Sequence, residues 1–451
     1  MTRILATIGP ASDAEDLIEK FSHYDVLYRL NGSHGDLAWH KDTIRKIRRK
    51  VKDAFILLDV PGVKPRSGNK KNINIKKGQK VLFGDTDEPV KTLHVPLTKP
   101  LPKIDIEEKI FSVNDGQFLF RVVEAGESYV IGESQADFEL LPRKGVNFPA
   151  SVYDEAKQLQ IYSDFIEQVY ELDIDGLGLS FVQTAELVSK VRALAPNLVM
   201  VSKLENTEGL RQCNEIIENS DAIMIDRGDL AAEIGLSGLY DAVLSISEIT
   251  KSCGKPLIMA TENLETMVAR DVPSKSEVMS IAHSRSIGAD CIMLSEETAI
   301  AKNGLHIVDW LSGYLKQLTS PIKTYSKPDR DIKYSEIWDL VKNIRDCPVV
   351  LMSKSGYALF EFMAAQSRGE VTVVTNSRKV MAITNLYSNK ISVLRAEIED
   401  NMPIETIREV VNQNKLTFFS ASKMIAAVYV SKYVKEPRAN CITFFHSNDF
   451  S

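Results

Sequence analysis

Short apolar runs recur along the chain, and polar residues follow nearly every one. The runs are Ile4-Leu-Ala-Thr-Ile8, Val26-Leu-Tyr-Arg-Leu30, Phe55-Ile-Leu-Leu-Asp59, Gly176-Leu-Gly-Leu-Ser180, Leu198 to Ser202, Ala222 to Ile225, Pro256-Leu-Ile-Met-Ala260 and Cys291-Ile-Met-Leu294. Runs of this length without polar alternation predict strands buried on both faces, as in a parallel sheet. Helical stretches separate them, and regular alternation of strand and helix gives an α/β fold. Eight such units predict a closed (β/α)₈ TIM barrel. A doubly wound open sheet uses the same alternation. Polar residues after nearly every run favour the barrel, whose βα-loops open on one face.

Two regions depart from this rhythm. Between residues 67 and 145 the runs are short and broken by Gly and Asp turns, as in Lys76-Lys-Gly-Gln-Lys-Val-Leu-Phe, Ser112-Val-Asn-Asp-Gly-Gln-Phe-Leu-Phe-Arg-Val and Ser128-Tyr-Val-Ile. They predict a small inserted β-barrel domain after the third strand. An insertion there lies over the open face of the main barrel, as a lid would. The expected barrel spans 1–66 and 146–318, and 319–451 forms a separate C-terminal α/β domain. Its first units are Pro348-Val-Val-Leu-Met-Ser-Lys-Ser-Gly-Tyr-Ala-Leu-Phe and Glu370-Val-Thr-Val-Val-Thr-Asn.

Composition narrows the class. The 451 residues are 44% hydrophobic and 26% charged, with a formal net charge of −6. This is an ordinary globular balance, and the negative sign argues against a nucleic-acid-binding surface. The cysteines at 213, 253, 291, 347 and 441 have no metal-ligand spacing. An odd, scattered set predicts reduced thiols, and Cys291 reads as core. The N-terminus enters a strand-like run with no signal-peptide pattern, so a cytoplasmic location is expected. No run approaches a membrane-spanning length.

The richest chemistry follows the fifth and sixth runs. Val199-Met-Val-Ser-Lys-Leu-Glu205 and Ala222-Ile-Met-Ile-Asp-Arg-Gly-Asp229 both end in charge. At the carboxyl end of a barrel, Lys203, Glu205 and Asp229 converge. Two carboxylates suit a hard cation such as Mg²⁺, which keeps positions open for substrate. The ammonium suits a phosphoryl group, so the set points to phosphate or enolate chemistry.

Other strand ends extend this pattern. They carry Arg29-Leu-Asn-Gly-Ser-His-Gly35, Leu58-Asp-Val-Pro-Gly-Val-Lys-Pro-Arg66, Met259-Ala-Thr-Glu-Asn-Leu-Glu-Thr-Met267 and Met293-Leu-Ser-Glu-Glu-Thr-Ala299. With Ser202-Lys-Leu-Glu-Asn206 and Arg227-Gly-Asp-Leu230, in this order, they closely resemble the pyruvate kinase family. The resemblance spans about residues 1 to 320 and weakens beyond.

It implies conversion of phosphoenolpyruvate and ADP to pyruvate and ATP through an enolate on Mg²⁺ or Mn²⁺. It implies that Glu205 and Asp229 hold the metal, and that Lys203 and Arg29 bind the phosphoryl group in flight. Positioning and electrostatics then supply the rate. Arg66, with His34 and Asn31, is expected at the nucleotide. Backbone N–H groups at Arg227, Gly228 and Asp229 open a helix toward the substrate carboxylate. Thr261 and Ser295 are expected beside the methylene carbon. A monovalent-cation site is implied at Asn31, Ser33 and Asp59. Family members are usually homo-oligomers, so a dimer or tetramer is an expectation too.

Lys64 and Val60 stand where K⁺-dependent members carry Glu and Thr. A tethered ammonium about 4 Å from a carboxylate gains ~4 kcal/mol at an effective dielectric of 20. Lys64 is therefore expected to replace K⁺ and make activity independent of it.

Further departures cluster on the nucleotide and methylene sides. A family lysine in the helix before strand four falls on Ile161, with Lys157 one turn earlier. Glu296 and Ile300 replace Gly and Lys, Glu262-Asn263 replaces Gln-Met, Gly32 replaces Phe, and Pro61 replaces a polar residue. These changes leave two alternatives open: a metal–enolate site serving another substrate or acceptor, or a non-catalytic regulatory paralogue. Ser353-Lys-Ser-Gly-Tyr-Ala resembles an effector-phosphate segment and has the makings of an anion nest. The Arg-Pro-rich segment that usually follows is replaced by Ala364-Ala-Gln-Ser-Arg-Gly. A structural loop is therefore the expectation there.

Overall fold

The computed structural model describes the whole chain except residues 86–91, 103–109, 115, 150–151, 320–321, 326–334, 344–346, 366–369, 389–390, 399–403, 420–421, 431–438 and 451. Most of the Ala364-to-Gly369 segment lies outside the described residues.

The eight apolar runs form strands β1 (Arg3–Thr7), β2 (Leu27–Asn31), β3 (Ile56–Val60), β4 (Gly176–Leu179), β5 (Val199–Leu204), β6 (Ala222–Asp226), β7 (Leu257–Ala260) and β8 (Cys291–Leu294). All pair in parallel, and β8 returns to β1 through Arg3↔Cys291 to Ala6↔Leu294. That closure excludes the open sheet. Alternate residues along each strand enter different cores, as the two-residue strand period requires. Ala6, Tyr28, Leu58, Ile223 and Met259 pack outward with the helices. Leu5, Leu27, Leu57, Val201, Met224 and Ile258 fill the barrel interior.

The same interior cluster continues into the C-terminal domain through Val349, Leu359, Ile383 and Tyr387. This domain therefore closes the amino end of the barrel. Its five-stranded sheet runs in the order Ser392–Arg395, Val371–Thr375, Val349–Met352, Met424–Tyr429 and Cys441–His446, with the last strand antiparallel. Cys291 is fully buried, and its Sγ lies 3.3 Å from the Leu386 carbonyl.

The insert follows β3. Its described strands form one six-stranded sheet and one two-stranded ribbon; the closure expected of a small barrel is not among the described pairings. Phe83, Phe111 and Phe120 fill its core. It rests over the carboxyl end of the main barrel. A Cβ at Gly116 (φ +86°) would lie 3.3 Å from Ala232, on the helix that follows β6. No helix among the described residues is long and apolar enough to cross a membrane.

Candidate active site

The site is assembled where β5 and β6 end. Lys203, on β5, is buried, and its Nζ lies 3.0 Å from Glu205, 3.3 Å from Asp226 and 3.8 Å from Asp59. Glu205 is fully buried; its Oε1 accepts the Phe181 N–H at 2.7 Å. Its Oε2 has no partner among the described residues besides the Lys203 ammonium. Carboxylate oxygens of Glu205, Asp226 and Asp229 all lie within 4.8 Å of one another.

Asp226 is the member that the sequence reading left unassigned. It closes β6 and also caps the helix Arg227–Ile234, accepting the Asp229 N–H at 3.4 Å. Its signal was present, since it is the acid that ends the sixth apolar run. Thr261 Oγ1 donates to Asp226 at 3.1 Å and accepts the Gly228 N–H at 3.0 Å. Thr261 and Glu262 adopt left-handed φ angles of 57° and 52°, a conformation uncommon for non-glycine residues. The Arg227 side chain supports this turn from below. It donates to the Glu262 carbonyl at 3.0 Å and to Asn263 at 2.9 Å. Ser295 holds its loop through its N–H, which donates to Glu297 at 2.6 Å.

On the other flank, Arg29 donates to Asp59 from Nη2 at 2.7 Å and from Nε at 3.1 Å, and to Thr7 at 2.8 Å. Gly178 makes this possible, because a Cβ there would lie 2.1 Å from Asp59 Oδ1. Gly32 also has a physical reason. A Cβ there would lie 2.5 Å from the Phe165 ring, which occupies the space beside the β2 end.

Lys64 is buried and pairs with Asp229. At the implied cation site, Asn31 Oδ1 accepts the Ser33 N–H at 3.0 Å. The rim carries Arg66, whose Nη1 donates to the Arg143 carbonyl at 3.2 Å. His34 is pushed below the usual imidazole range by partial burial, then by Arg66, Arg143 and Arg29.

Burial alone would lower the Lys203 pKa. Glu205, Asp226 and Asp59 outweigh it, so the ammonium stays charged. Glu205 is pushed upward by burial; Lys203 opposes this, and Asp226 and Asp229 add to it. Burial also raises Asp229, but Lys64 and then Lys203 bring it below its ordinary value. Among the described residues, four carboxyl groups (Asp59, Glu205, Asp226, Asp229) thus face three cations (Arg29, Lys64, Lys203). This oxygen-rich cluster fits a hard divalent cation.

The fold and this cluster define a (β/α)₈-barrel protein with an acidic, lysine-centred site at the carboxyl end. Comparison with known proteins narrows the class. Residues 1–307 match the family described as pyruvate kinase, barrel domain. A pyruvate kinase of Thermococcus litoralis is 33% identical over 328 residues, covering 70% of this chain and 69% of its own. One from Thermotoga maritima is 31% identical over 346 residues, covering 74% and 73%. The solved structure of a pyruvate kinase from Cryptosporidium parvum shares the fold at a TM-score of 0.80 and 22% identity, covering 99% of this chain and 96% of its own. The chain belongs to the pyruvate kinase family, whose members are phosphotransferases.

Proposed function

We propose that this protein transfers the phosphoryl group of phosphoenolpyruvate to ADP, and that it does so without K⁺. The carrying observation is the Lys203 ammonium, buried and held 3.0 to 3.8 Å from three carboxylates beside an open metal-type cluster. Glu205, Asp226 and Asp229 would hold the divalent cation. When bound, the cation supplies positive charge for the phosphoryl oxygens and the enolate oxygen.

Lys203 and Arg29 then meet the phosphoryl group. Its bond to the enol oxygen breaks as a new bond forms to the terminal ADP oxygen. Both cations are already fixed by buried carboxylates, so little reorganisation is needed at that moment. The substrate carboxylate is assigned to the helix end at Gly228. A Cβ on Gly228 would meet nothing closer than 3.7 Å, so a ligand rather than the protein accounts for a glycine there. The enolate finally takes one proton at its methylene carbon, delivered on the side of Thr261 and Ser295. Thr261 also keeps Asp226 and the Gly228 N–H in register.

K⁺ independence is assigned to Lys64. Its ammonium places a fixed positive charge on Asp229, where a monovalent ion would otherwise be needed nearby. The test is a coupled assay of pyruvate release with Mg²⁺ and ADP, run with K⁺ and in K⁺-free Tris, beside Lys203→Met. Equal turnover in both buffers, abolished in the variant, is expected. Turnover that appears only with K⁺ would remove the role of Lys64. No turnover above the variant would remove the reaction.

A further inference from the structure

Position 161 leaves the nucleotide side of the barrel without its expected lysine, and the sequence offers Lys157 as a substitute. The structure gives Lys157 an exposed position and a carboxylate partner, Asp154, at 4.0 Å. A different cation stands nearby. Lys99 comes from the inserted domain and crosses to the barrel, where its Nζ donates to the Gly62 carbonyl. It is partly buried, and among the described residues it has no carboxylate partner. Its neighbour Thr98 fixes it beside Arg66. Thr98 Oγ1 accepts the Arg66 N–H at 3.0 Å, and the Thr98 N–H donates to the Arg66 carbonyl at 2.9 Å.

Lys99 borders a cavity of about 320 Å³ between insert and barrel, which Asp154 and Lys157 line at its other side. That volume falls in the small-molecule range of roughly 300–1,000 Å³. Its walls are largely apolar and include Val63, Leu101, Pro102, Tyr153 and Ile161. Tyr153 packs edge-on against Phe181 at 5.8 Å. Phe181 in turn lies under Lys64, 6.0 Å from its Nζ, and donates its N–H to Glu205. One layer of side chains therefore separates the cavity from the acidic cluster.

The geometry points to Lys99 as the residue that holds the diphosphate of the phosphoryl acceptor, with the less polar part of the nucleotide in this cavity. This rests on the phosphotransfer reading above and names the acceptor-binding group that the barrel itself lacks. The physical reason is charge. Lys99 and the neighbouring Arg66 are both partly buried and donate to backbone carbonyls rather than to carboxylates among the described residues, so an anion completes the site. Burial, and then Arg66, push the Lys99 ammonium below its ordinary range, and a bound diphosphate would reverse that. The cation also sits on the insert, so acceptor binding would tie the insert to the barrel.

The test compares Lys99→Met and Lys99→Arg with the unmodified chain. The Michaelis constants for ADP and phosphoenolpyruvate are measured separately, with thermal melts to check folding. Loss of one charge-assisted contact should raise KM for ADP about tenfold or more in Lys99→Met. KM for phosphoenolpyruvate should change less than about twofold, and Lys99→Arg should restore most of the loss. Leu101→Glu, which puts a carboxylate into the same cavity, should raise KM for ADP without requiring any change at Lys99. An unchanged KM for ADP in a folded Lys99→Met, or equal losses for both substrates, would overturn the assignment. If the unmodified chain shows no turnover, the phosphotransfer reading fails instead. Calorimetric titration with ADP and Mg²⁺ then still tests Lys99: weaker binding in Lys99→Met supports it, and equal binding overturns it.

Discussion

Strand β6 is preceded by Asp221 and ends in Asp226, and the two aspartates differ in what surrounds them. Asp221, at the amino end, gathers three donors on Oδ2. It accepts the Met200 N–H at 2.8 Å and pairs with Arg192 and Lys379, each at 2.9 Å. Asp175 and Asp290 repeat this arrangement before β4 and β8, accepting the N–H groups of Ile56 and Leu257 on neighbouring strands. Each also pairs with a cation, Arg48 and Lys251 respectively. Arg378 and Lys379 belong to the C-terminal domain, so the network fastens that domain to the barrel. Asp226, at the carboxyl end, shares one ammonium with Glu205 and Asp59. Buried carboxylates at the barrel's amino end thus fasten the chain where cations match them, and those at the carboxyl end, where they outnumber the cations, are the proposed ligand set. Unbalanced buried charge is costly without a further partner, which supports the proposal that the second group holds a cation.

Substitution at each end of β6 should separate the two roles. Asp226→Ala is expected to lower kcat by about a hundredfold to a thousandfold, the scale seen when one electrostatic contact to a transition state is lost. It should weaken Mn²⁺ binding as well. Its melting point should move little, since the lost helix cap is worth ~1 kcal/mol. Asp221→Ala should do the reverse. Leaving Arg192, Lys379 and the Met200 N–H unmatched costs about 3 kcal/mol or more of stability, read by denaturant unfolding. Turnover of the folded fraction should stay near that of the unmodified chain. Equal stability losses at both ends, with equal activity losses, would erase the distinction.

A smaller effect sharpens the comparison through pH. Glu205 is pushed up to about 8 by burial, with Lys203 opposing and Asp226 and Asp229 adding to the rise. A carboxyl that is protonated when empty must release its proton to ligate a metal. Mn²⁺ affinity should therefore rise with pH, by up to about tenfold per unit below the Glu205 pKa, and level off above it. Titration calorimetry across that range checks the sign. A flat profile would mean that Glu205 is already ionised without metal.

The barrel was legible in the sequence because strand burial on both faces leaves a local mark. Each run is nearly continuous and apolar, and the observed strand starts differ from the expected ones by one residue in β1, β2, β3, β5 and β7 and not at all in β4, β6 and β8. Lys203, Glu205 and Asp229 were legible for the same reason, as charges that follow such runs. The paired ends of β6 were harder to separate. Asp221 and Asp226 both flank one apolar run, and only the strands alongside show what surrounds each. Gly32 looked like a loss until Phe165 was found in the space that a side chain there would fill.

The order of residues thus determined the strands, their number, the inserted and C-terminal domains, and the charges at the strand ends. These depend on the polarity of near neighbours, which the chain states directly. Tertiary structure decided which charges meet. Lys64 reaches Asp229 across 165 positions of sequence, and Lys99 reaches the Gly62 carbonyl from another domain. Such pairings follow from barrel closure and from where the insert lands. A charge declares its sign in sequence, but its partner is set by distances that exist only after folding.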